Sequence, residues 1–219
     1  MSNLFKKQLE QDGFAVKEIK EDIFLIENFI SEEELEELFN IIKSRKEDDW
    51  KKEYLQNLVS FCIEKFGRSD VENLVAEGKF EITQNWEDKN YNILEYPIQS
   101  KIYKRLSPSI ASFNSDLVLS GFATIQRMQK DVSLTSHVDQ QTDPSIQYAT
   151  ILYLNDDYSD GELFFKNIDF SIKPKSRSLL IFPGTEKFEH GVKPVGDGPI
   201  RYVLVGFIKI IGFYKDKKY

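Results

Sequence analysis

The spacing of apolar and polar residues predicts helices in the first part of the chain and strands in the second. An apolar, strand-like run over residues 23–30 leads directly into Ser31, which is placed to cap the start of a helix. Glu34 follows at the position that completes a capping box. The predicted helix then has one apolar face, formed by Leu35, Leu38, Phe39, Ile41 and Ile42.

Further helices are predicted before residue 116. One covers residues 49–66, and a shorter one covers residues 71–77 and ends at Gly78. Pro97 fits the first turn of a third helix, because a proline at that position gives up no helical hydrogen bond. The apolar positions of this third helix would be Ile98, Ile102, Leu106 and Ile110.

The second part of the chain alternates short β-prone runs with turn segments. The turns are rich in Asn, Asp, Ser and Gly, as in residues 155–157, 159–161 and 196–199. The β-prone runs are residues 117–128, 146–154, 162–165, 170–172, 178–182, 188–194 and 200–211.

Helices followed by short antiparallel strands predict an α+β fold dominated by a jelly roll. We expect one domain over residues 1–219, in which residues 1–115 are mainly helical support and residues 116–212 form the jelly-roll core. The N-terminal helices are expected to pack against the major sheet of that core.

The composition is that of an acidic globular protein. The chain has 219 residues, 41% of them hydrophobic, and a formal net charge of −7. A nucleic-acid partner is not expected, because affinity for phosphates depends largely on Lys and Arg.

The cysteine content and the N-terminus indicate a cellular location. The single cysteine, Cys62, lies in an apolar stretch and cannot form an internal disulfide, which favours a reducing compartment. The N-terminus lacks the pattern of a signal peptide, and no run approaches the roughly 20 apolar residues that span a bilayer. A soluble, cytoplasmic protein without a membrane partner is therefore predicted.

Candidate chemistry is concentrated in the only two histidines of the chain, both in the β-rich part. In an extended segment His137 and Asp139 project from the same face, so they can offer a nitrogen and an oxygen to one metal ion. His190 is far enough along the chain for intervening strands to fold back beside this pair. Two imidazoles and one carboxylate with open positions are typical of non-haem iron(II) sites, whereas structural zinc usually takes four ligands.

Other interpretations of the histidines remain open. Magnesium and calcium prefer oxygen donors, but zinc in a hydrolytic site is compatible with the same three residues. A bare His-x-Asp also occurs by chance, so the interpretation depends on His190 and on the strands between the two motifs.

Arg201 is a candidate anion-binding residue at the start of a β-prone run. Alternation places Arg201, Val203, Val205 and Phe207 on one face of the strand. We expect His190 and Arg201 on the two arms of a hairpin, with the guanidinium a few ångströms deeper than the metal and able to clamp a carboxylate. The alternative is an exposed Arg201 that pairs with a surface aspartate.

At these residues the sequence resembles the double-stranded β-helix 2-oxoglutarate oxygenases, and in detail the prolyl 4-hydroxylase branch. The resemblance is carried by His137-Val138-Asp139, by His190 and by Arg201. The segments 151–155, 160–163 and 173–183 also resemble that branch. Arg127 and Met128 occupy the neighbourhood in which many members carry a tyrosine that contacts the cosubstrate.

The resemblance implies a role for each candidate residue. His137, Asp139 and His190 would be iron ligands, Arg201 would hold the distal carboxylate of 2-oxoglutarate, and Tyr153 would donate a hydrogen bond to it. The remaining assignments are Ile151, Leu163 and Val205 as the lining of the cosubstrate pocket, and Phe207 as a residue near the substrate. The implied cofactors are Fe(II), 2-oxoglutarate and ascorbate, with dioxygen as co-reactant.

The resemblance implies hydroxylation of a prolyl residue in a polypeptide. Alternatives are oxidation of a small molecule or an alkylated nucleobase, and a cupin-like binding protein without catalysis. The polar segments 140–145 and 85–96 are interpreted either as a lid over the site or as ordinary surface loops.

Overall fold

The structure is a computed structural model that describes residues 2–47, 50, 91–97, 101–119 and 122–213. Apart from Trp50, the helices predicted over residues 49–66 and 71–77 lie outside the described residues, and so does Cys62. The prediction of a single domain over the whole chain stays a prediction.

The described residues form five helices and twelve strands. The helices are α1 (Ser2–Gln11), α2 (Glu32–Ser44), α3 (Lys101–Lys104), α4 (Ser107–Phe113) and α5 (Asp139–Thr142). The strands are β1 (Val16–Lys20), β2 (Ile23–Ile26), β3 (Tyr91–Pro97), β4 (Leu117–Leu119), β5 (Phe122–Met128), β6 (Leu134–His137), β7 (Ile146–Tyr153), β8 (Leu163–Phe165), β9 (Phe170–Ile172), β10 (Leu179–Pro183), β11 (His190–Val192) and β12 (Arg201–Ile210). Single 3-10 turns occur at Lys166–Ile168 and Glu186–Phe188.

The strands assemble into two antiparallel sheets. Within the described residues the major sheet has eight strands in the order β1-β2-β10-β7-β12-β5-β3, with β4 paired to β12. The minor sheet has four strands in the order β6-β11-β8-β9. One apolar cluster joins the facing sides of both sheets, for example Ile151 and Leu180 with Leu163 and Val192. The two sheets therefore enclose a common core, as the jelly-roll prediction requires.

The helices cover the outer face of the major sheet. Phe5 of α1 and Leu38 of α2 belong to the same buried cluster as Leu152 of β7 and Leu204 of β12. Strand alternation explains the division, since Leu152 points to the helices while its neighbours Ile151 and Tyr153 point to the minor sheet. The predicted packing of N-terminal helices on the major sheet is confirmed.

Helix α2 begins at the capping box predicted from the sequence. The hydroxyl of Ser31 accepts a hydrogen bond from the backbone N–H of Glu34 (3.2 Å), and the Glu34 carboxylate accepts one from the Ser31 N–H (2.9 Å). Arg105 binds the same Glu34 carboxylate and donates to the carbonyl of Phe29 (2.5 Å). The start of α2 is thereby tied to the connection between α3 and α4.

Pro97 ends a strand and does not begin a helix, so this prediction was wrong. Strand β3 pairs with β5 along its whole length, from Tyr91 opposite Met128 to Pro97 opposite Phe122. Proline has no backbone N–H group. It is tolerated there because β3 lies at the edge of the described sheet, where a residue can lack this hydrogen-bond donor. The helical pattern starts later and is divided into α3 and α4.

The interpretation of residues 85–96 as a loop over the site was also wrong where it can be compared. Residues 91–96 belong to β3, while residues 85–90 lie outside the described part of the chain. Two further elements, α1 and β1, were not predicted. Among the described residues, no helix is long and apolar enough to cross a membrane.

Candidate active site

His137, Asp139 and His190 come together in the structure. Their potential ligand atoms all lie within 4.8 Å of one another, and the two imidazole centroids are 4.5 Å apart. The cause is the antiparallel pairing of β11 with β6, which sets His190 directly opposite His137. Val138 is extended (φ −117°, ψ 121°), so Asp139 returns to the side of His137 although it is the first residue of α5.

The backbone orients both imidazoles in the same way. Nδ1 of His137 lies 3.0 Å from the carbonyl oxygen of Thr135, and Nδ1 of His190 lies 3.0 Å from that of Phe188. A carbonyl only accepts, so each Nδ1 carries the proton and each Nε2 keeps its lone pair. This tautomer is the one that binds a metal through Nε2.

The electrostatics of the cluster suit a cation. Burial, together with the nearby His137, lowers the pKa of His190 to about 3, so this imidazole is neutral at neutral pH. Burial raises the pKa of Asp139 to about 6, against the lowering effect of His137. Oδ2 of Asp139 is buried and has no hydrogen-bond partner among the described residues. A buried carboxylate oxygen without a partner is unfavourable, and a bound cation would compensate it.

The residues next to the two histidines fix the strands that carry them. The Ser136 hydroxyl donates to the Glu189 carboxylate (2.7 Å), which also accepts from the ammonium of Lys166 (2.9 Å). Gly191 allows the close approach of β6 and β8, since a Cβ there would lie 2.5 Å from the Leu134 carbonyl oxygen. None of these positions was predicted to have a role.

A cavity of about 390 Å³ lies between the sheets and includes the His-Asp-His cluster in its wall. This volume is in the range of small-ligand sites. The predicted residues that line it are His137, Asp139, Ile151, Leu163, His190, Arg201, Val205 and Phe207. The polar lining residues that were not predicted include Gln126, Thr135, Asp143 and Lys209. Tyr153 does not line the cavity.

Arg201 reaches the same cavity from the major sheet. The side chain is 1% exposed, its Nη1 lies 3.4 Å from Sδ of Met128, and its Nε has no partner among the described residues. No carboxylate of the described residues forms an ion pair with it, so the alternative of a surface pair with an aspartate was wrong. A buried guanidinium without an anion is unfavourable, which makes this a candidate anion site.

The predicted hairpin between His190 and Arg201 was also wrong. His190 lies on β11, which pairs with β6 and β8, whereas Arg201 lies on β12, which pairs with β4, β5 and β7. Residues 193–200 carry the chain from the minor to the major sheet. The two side chains therefore approach the cavity from different sheets.

Two buried phenols accompany Arg201. The guanidinium carbon lies 5.4 Å from the ring centroid of Tyr153. Burial raises the pKa of Tyr153 to about 12 and also raises the pKa of Tyr158, while the charge of Arg201 lowers both. Both hydroxyls stay protonated at neutral pH, and neither has a hydrogen-bond partner among the described residues. Tyr158 was not predicted, because its place beside Arg201 depends on long-range folding.

Residues 140–145 form part of the cavity wall. Thr142 and Asp143 line the cavity, and the Asp143 carboxylate accepts hydrogen bonds from Ser145 and from the ammonium of Lys209 (3.0 Å). Asp143 and Ser145 are both buried, so this end of the segment is packed into the protein.

Arg127 and Met128 have separate roles on β5. Met128 faces the cavity side and contacts Arg201, whereas Arg127 points to the helical side. There the guanidinium of Arg127 pairs with Glu47 and lies 4.5 Å from the ring centroid of Trp50. Of the two residues, only Met128 contributes to the candidate site.

Facing antiparallel sheets around a His-Asp-His cluster define a double-stranded β-helix protein with a candidate metal centre. Residues 123–209, which contain the whole cluster and Arg201, match the family model of the 2OG-Fe(II) oxygenase superfamily. This segment contains all the residues that carry the resemblance found in the sequence, so the resemblance is confirmed.

One relative and two solved structures illustrate the similarity. Human prolyl 3-hydroxylase 2 is 39% identical over 56 residues, which are 23% of this chain and 8% of that protein. This chain therefore matches only a small share of that relative's length.

The viral collagen prolyl hydroxylase of Paramecium bursaria Chlorella virus-1, solved with 2-oxoglutarate, has a TM-score of 0.58. Its identity is 15%, with coverage of 87% of this chain and 97% of that chain.

A Trichoplax adhaerens prolyl hydroxylase, in complex with a hypoxia inducible factor peptide fragment, has a TM-score of 0.51. Its identity is 17%, with coverage of 95% and 89%. At these identities the likeness concerns the fold, and it confirms the predicted double-stranded β-helix.

Proposed function

We propose that the protein is an iron(II)- and 2-oxoglutarate-dependent oxygenase that hydroxylates a prolyl residue of a polypeptide. The observation that carries the proposal is one cavity with two unmatched charges. Asp139, at the start of α5, presents a buried carboxylate oxygen without a hydrogen-bond partner, and Arg201 of the major sheet presents a buried guanidinium without an anion. A metal ion and a carboxylate ligand would satisfy both.

His137, Asp139 and His190 would hold the iron. The donor set of two neutral imidazoles and one carboxylate suits iron(II) and leaves coordination positions open. The Nδ1–H groups of both histidines are already bound to backbone carbonyls, so their Nε2 atoms need no reorientation to act as ligands. His137 is the most exposed of the three, with 31% of its side chain accessible, so the substrate would approach from its side.

Arg201 and Tyr153 would hold the distal carboxylate of 2-oxoglutarate. Two N–H groups of a guanidinium can bind both oxygens of a carboxylate, and a protonated phenol adds a third donor. Ile151, Leu163 and Val205 would exclude water from the carbon chain of the cosubstrate. When bound, iron(II) and 2-oxoglutarate supply the activation of dioxygen that places a hydroxyl group on a substrate C–H bond.

The prolyl substrate is supported by similarity. Solved structures similar in fold to this chain include prolyl hydroxylases, one of them with a bound peptide fragment, and Phe207 lines the cavity where a substrate would lie. Ascorbate as a cofactor and a cytoplasmic location stay predictions from the sequence.

Incubation with iron(II), 2-oxoglutarate and a library of proline-containing peptides tests this proposal. Mass spectrometry should find a product heavier by one oxygen atom, with succinate formed in equal amount and neither formed by His137→Ala. Succinate formation with free metabolites or alkylated nucleobases alone would replace the prolyl substrate by one of those classes. Absence of 2-oxoglutarate binding and turnover would leave a cupin-like binding protein.

A further inference from the structure

Tyr158 is a buried residue next to the candidate anion site that the proposed function does not use. Its side chain is 2% exposed and lies in the core between the two sheets, yet its hydroxyl has no hydrogen-bond partner among the described residues. A buried phenol usually finds a partner for its O–H group. An unpartnered hydroxyl at this depth therefore needs an explanation.

Side-chain and backbone hydrogen bonds hold the loop of Tyr158 against the start of β12. The Asn155 side chain donates to the carbonyl of Ile200 (2.9 Å) and accepts from the N–H of Tyr202 (2.8 Å), so it brackets Arg201. Further along the loop, the N–H of Ser159 donates to the carbonyl of Asp197 (2.8 Å). The loop and the first residue of β12 form one connected unit.

The ring of Tyr158 is held in one place. The ammonium of Lys173 lies 4.5 Å from the ring centroid and donates a hydrogen bond to the backbone carbonyl of Tyr158. Gly161 packs on the ring so closely that a Cβ there would lie 3.3 Å from Cε2 of Tyr158 and 3.1 Å from Val195. Gly161 also has φ +65°, a conformation that favours glycine.

The hydroxyl of Tyr158 and the guanidinium of Arg201 each contain a buried hydrogen-bonding atom without a partner. Nε–H of Arg201 is a buried donor without an acceptor, and the phenol oxygen of Tyr158 is a buried acceptor without a donor. The Asn155 hydrogen bonds on either side of Arg201 hold the Tyr158 loop beside it, and the charge of Arg201 lowers the pKa of both Tyr158 and Tyr153. Leaving both atoms without a partner costs free energy. One hydrogen bond between them would recover this free energy.

We propose that Tyr158 is a positioning residue whose phenol oxygen accepts a hydrogen bond from Arg201 and aims the guanidinium at the distal carboxylate of the cosubstrate. The inference rests on the proposed function, since the carboxylate is that of 2-oxoglutarate. Tyr153 then remains free to donate to the carboxylate itself. Tyr158 acts through Arg201, whose side chain lines the cavity.

Calorimetric titration of the full chain, with Mn(II) in place of iron, tests this inference without turnover. Tyr158→Phe should weaken binding of 2-oxoglutarate about tenfold, the size expected for one hydrogen bond that supports a charged group. In an Arg201→Lys background the same substitution should change the affinity less than about twofold, since lysine lacks Nε–H. Tyr148→Phe is the matched control, because Tyr148 lies on the helical face of β7.

A second ligand separates positioning from general damage. 2-Oxopentanoate has the keto-acid end of 2-oxoglutarate but no distal carboxylate, so Tyr158→Phe should bind it as the wild type does. The inference is overturned if Tyr158→Phe weakens binding of both ligands equally, or if it leaves the affinity for 2-oxoglutarate unchanged. It is also overturned if Tyr158→Phe weakens binding of 2-oxoglutarate equally in both Arg201 backgrounds. If the wild type with Mn(II) fails to bind 2-oxoglutarate, the proposed function itself is overturned, and the inference with it.

Discussion

His190 lies directly opposite His137 in the pairing of β11 with β6, and the two imidazole centroids are 4.5 Å apart. The distance between the two rings is therefore set by one antiparallel strand pair. Substitutions that change this pair, or the third member Asp139, should change metal binding in ways that can be measured separately from folding.

Asp139→Asn should abolish tight metal binding and stabilise the metal-free protein. Substitution of a residue that only supports the ligands weakens metal binding by at most roughly 100-fold. Loss of a direct ligand should weaken metal binding by more than that. Because burial raises the pKa of Asp139, the ionised carboxylate disfavours the folded metal-free state, and its removal should add on the order of 1 kcal/mol at neutral pH. Thermal unfolding with and without Mn(II) checks both effects. A wild type that gains no stability from Mn(II) would contradict the metal assignment.

Substitution of Arg201 should weaken cosubstrate binding and leave metal binding unchanged. Arg201→Ala removes two hydrogen bonds to a carboxylate, for which we expect about a 100-fold weaker affinity for 2-oxoglutarate. Arg201→Lys keeps the charge without the planar fork and should fall between the alanine variant and the wild type. Calorimetry with Mn(II) and 2-oxoglutarate measures the series. An alanine variant with wild-type affinity would exclude Arg201 as the carboxylate anchor.

Gly191→Ala should disturb both stability and metal binding. The new Cβ would lie 2.5 Å from the Leu134 carbonyl oxygen and 2.8 Å from the Phe164 ring, so β11 must move relative to β6. Overpacking of this kind costs about 1–3 kcal/mol, and the movement should separate His190 from His137. Urea unfolding and Mn(II) titration measure the two effects.

Gly13→Ala is a suitable control for this substitution. A Cβ at Gly13 would meet nothing within 4 Å, although its φ of +92° makes alanine unfavourable by about 1 kcal/mol. Stability should fall modestly and Mn(II) affinity should not change. If Gly191→Ala behaves in the same way, the close approach at Gly191 does not position the histidines.

The hydrogen bond between Ser136 and Glu189 should support metal binding from outside the cluster. Each residue directly precedes one of the two histidines, so Ser136→Ala and Glu189→Ala should each weaken Mn(II) binding about tenfold. The double variant should lose little more than either single one, since all three remove the same bond. Glu162→Ala, which alters a long ion pair with Lys193, is the control. Fully additive losses would contradict a shared role.

Local patterns predicted several elements closely. The run 146–154 is β7 (Ile146–Tyr153) and the run 178–182 is β10 (Leu179–Pro183), because apolar segments bounded by turn residues define buried strands. The capping box of Ser31 and Glu34 is equally local, since all its atoms lie within one helical turn. The three cluster residues were found because the chain has only two histidines.

Features that depend on distant pairing were missed or misjudged. Pro97 has the local pattern of a helix start, but pairing with β5 holds it in an extended strand. His190 and Arg201 were expected in one hairpin, and the choice of partners for β11 and β12 separates them into two sheets. Tyr158 has no local signal at all, because its loop meets β12 only in the folded chain.

The division of the cavity between two sheets has a mechanical consequence. The minor sheet supplies His137 and His190, while the major sheet supplies Arg201. A ligand that binds both the metal and the guanidinium would therefore link the two sheets. Opening between the sheets would then require breaking the ligand contacts as well as the apolar core. Amide hydrogen exchange in β6, β8 and β11 should slow when metal and 2-oxoglutarate are both bound, and far less when either is bound alone.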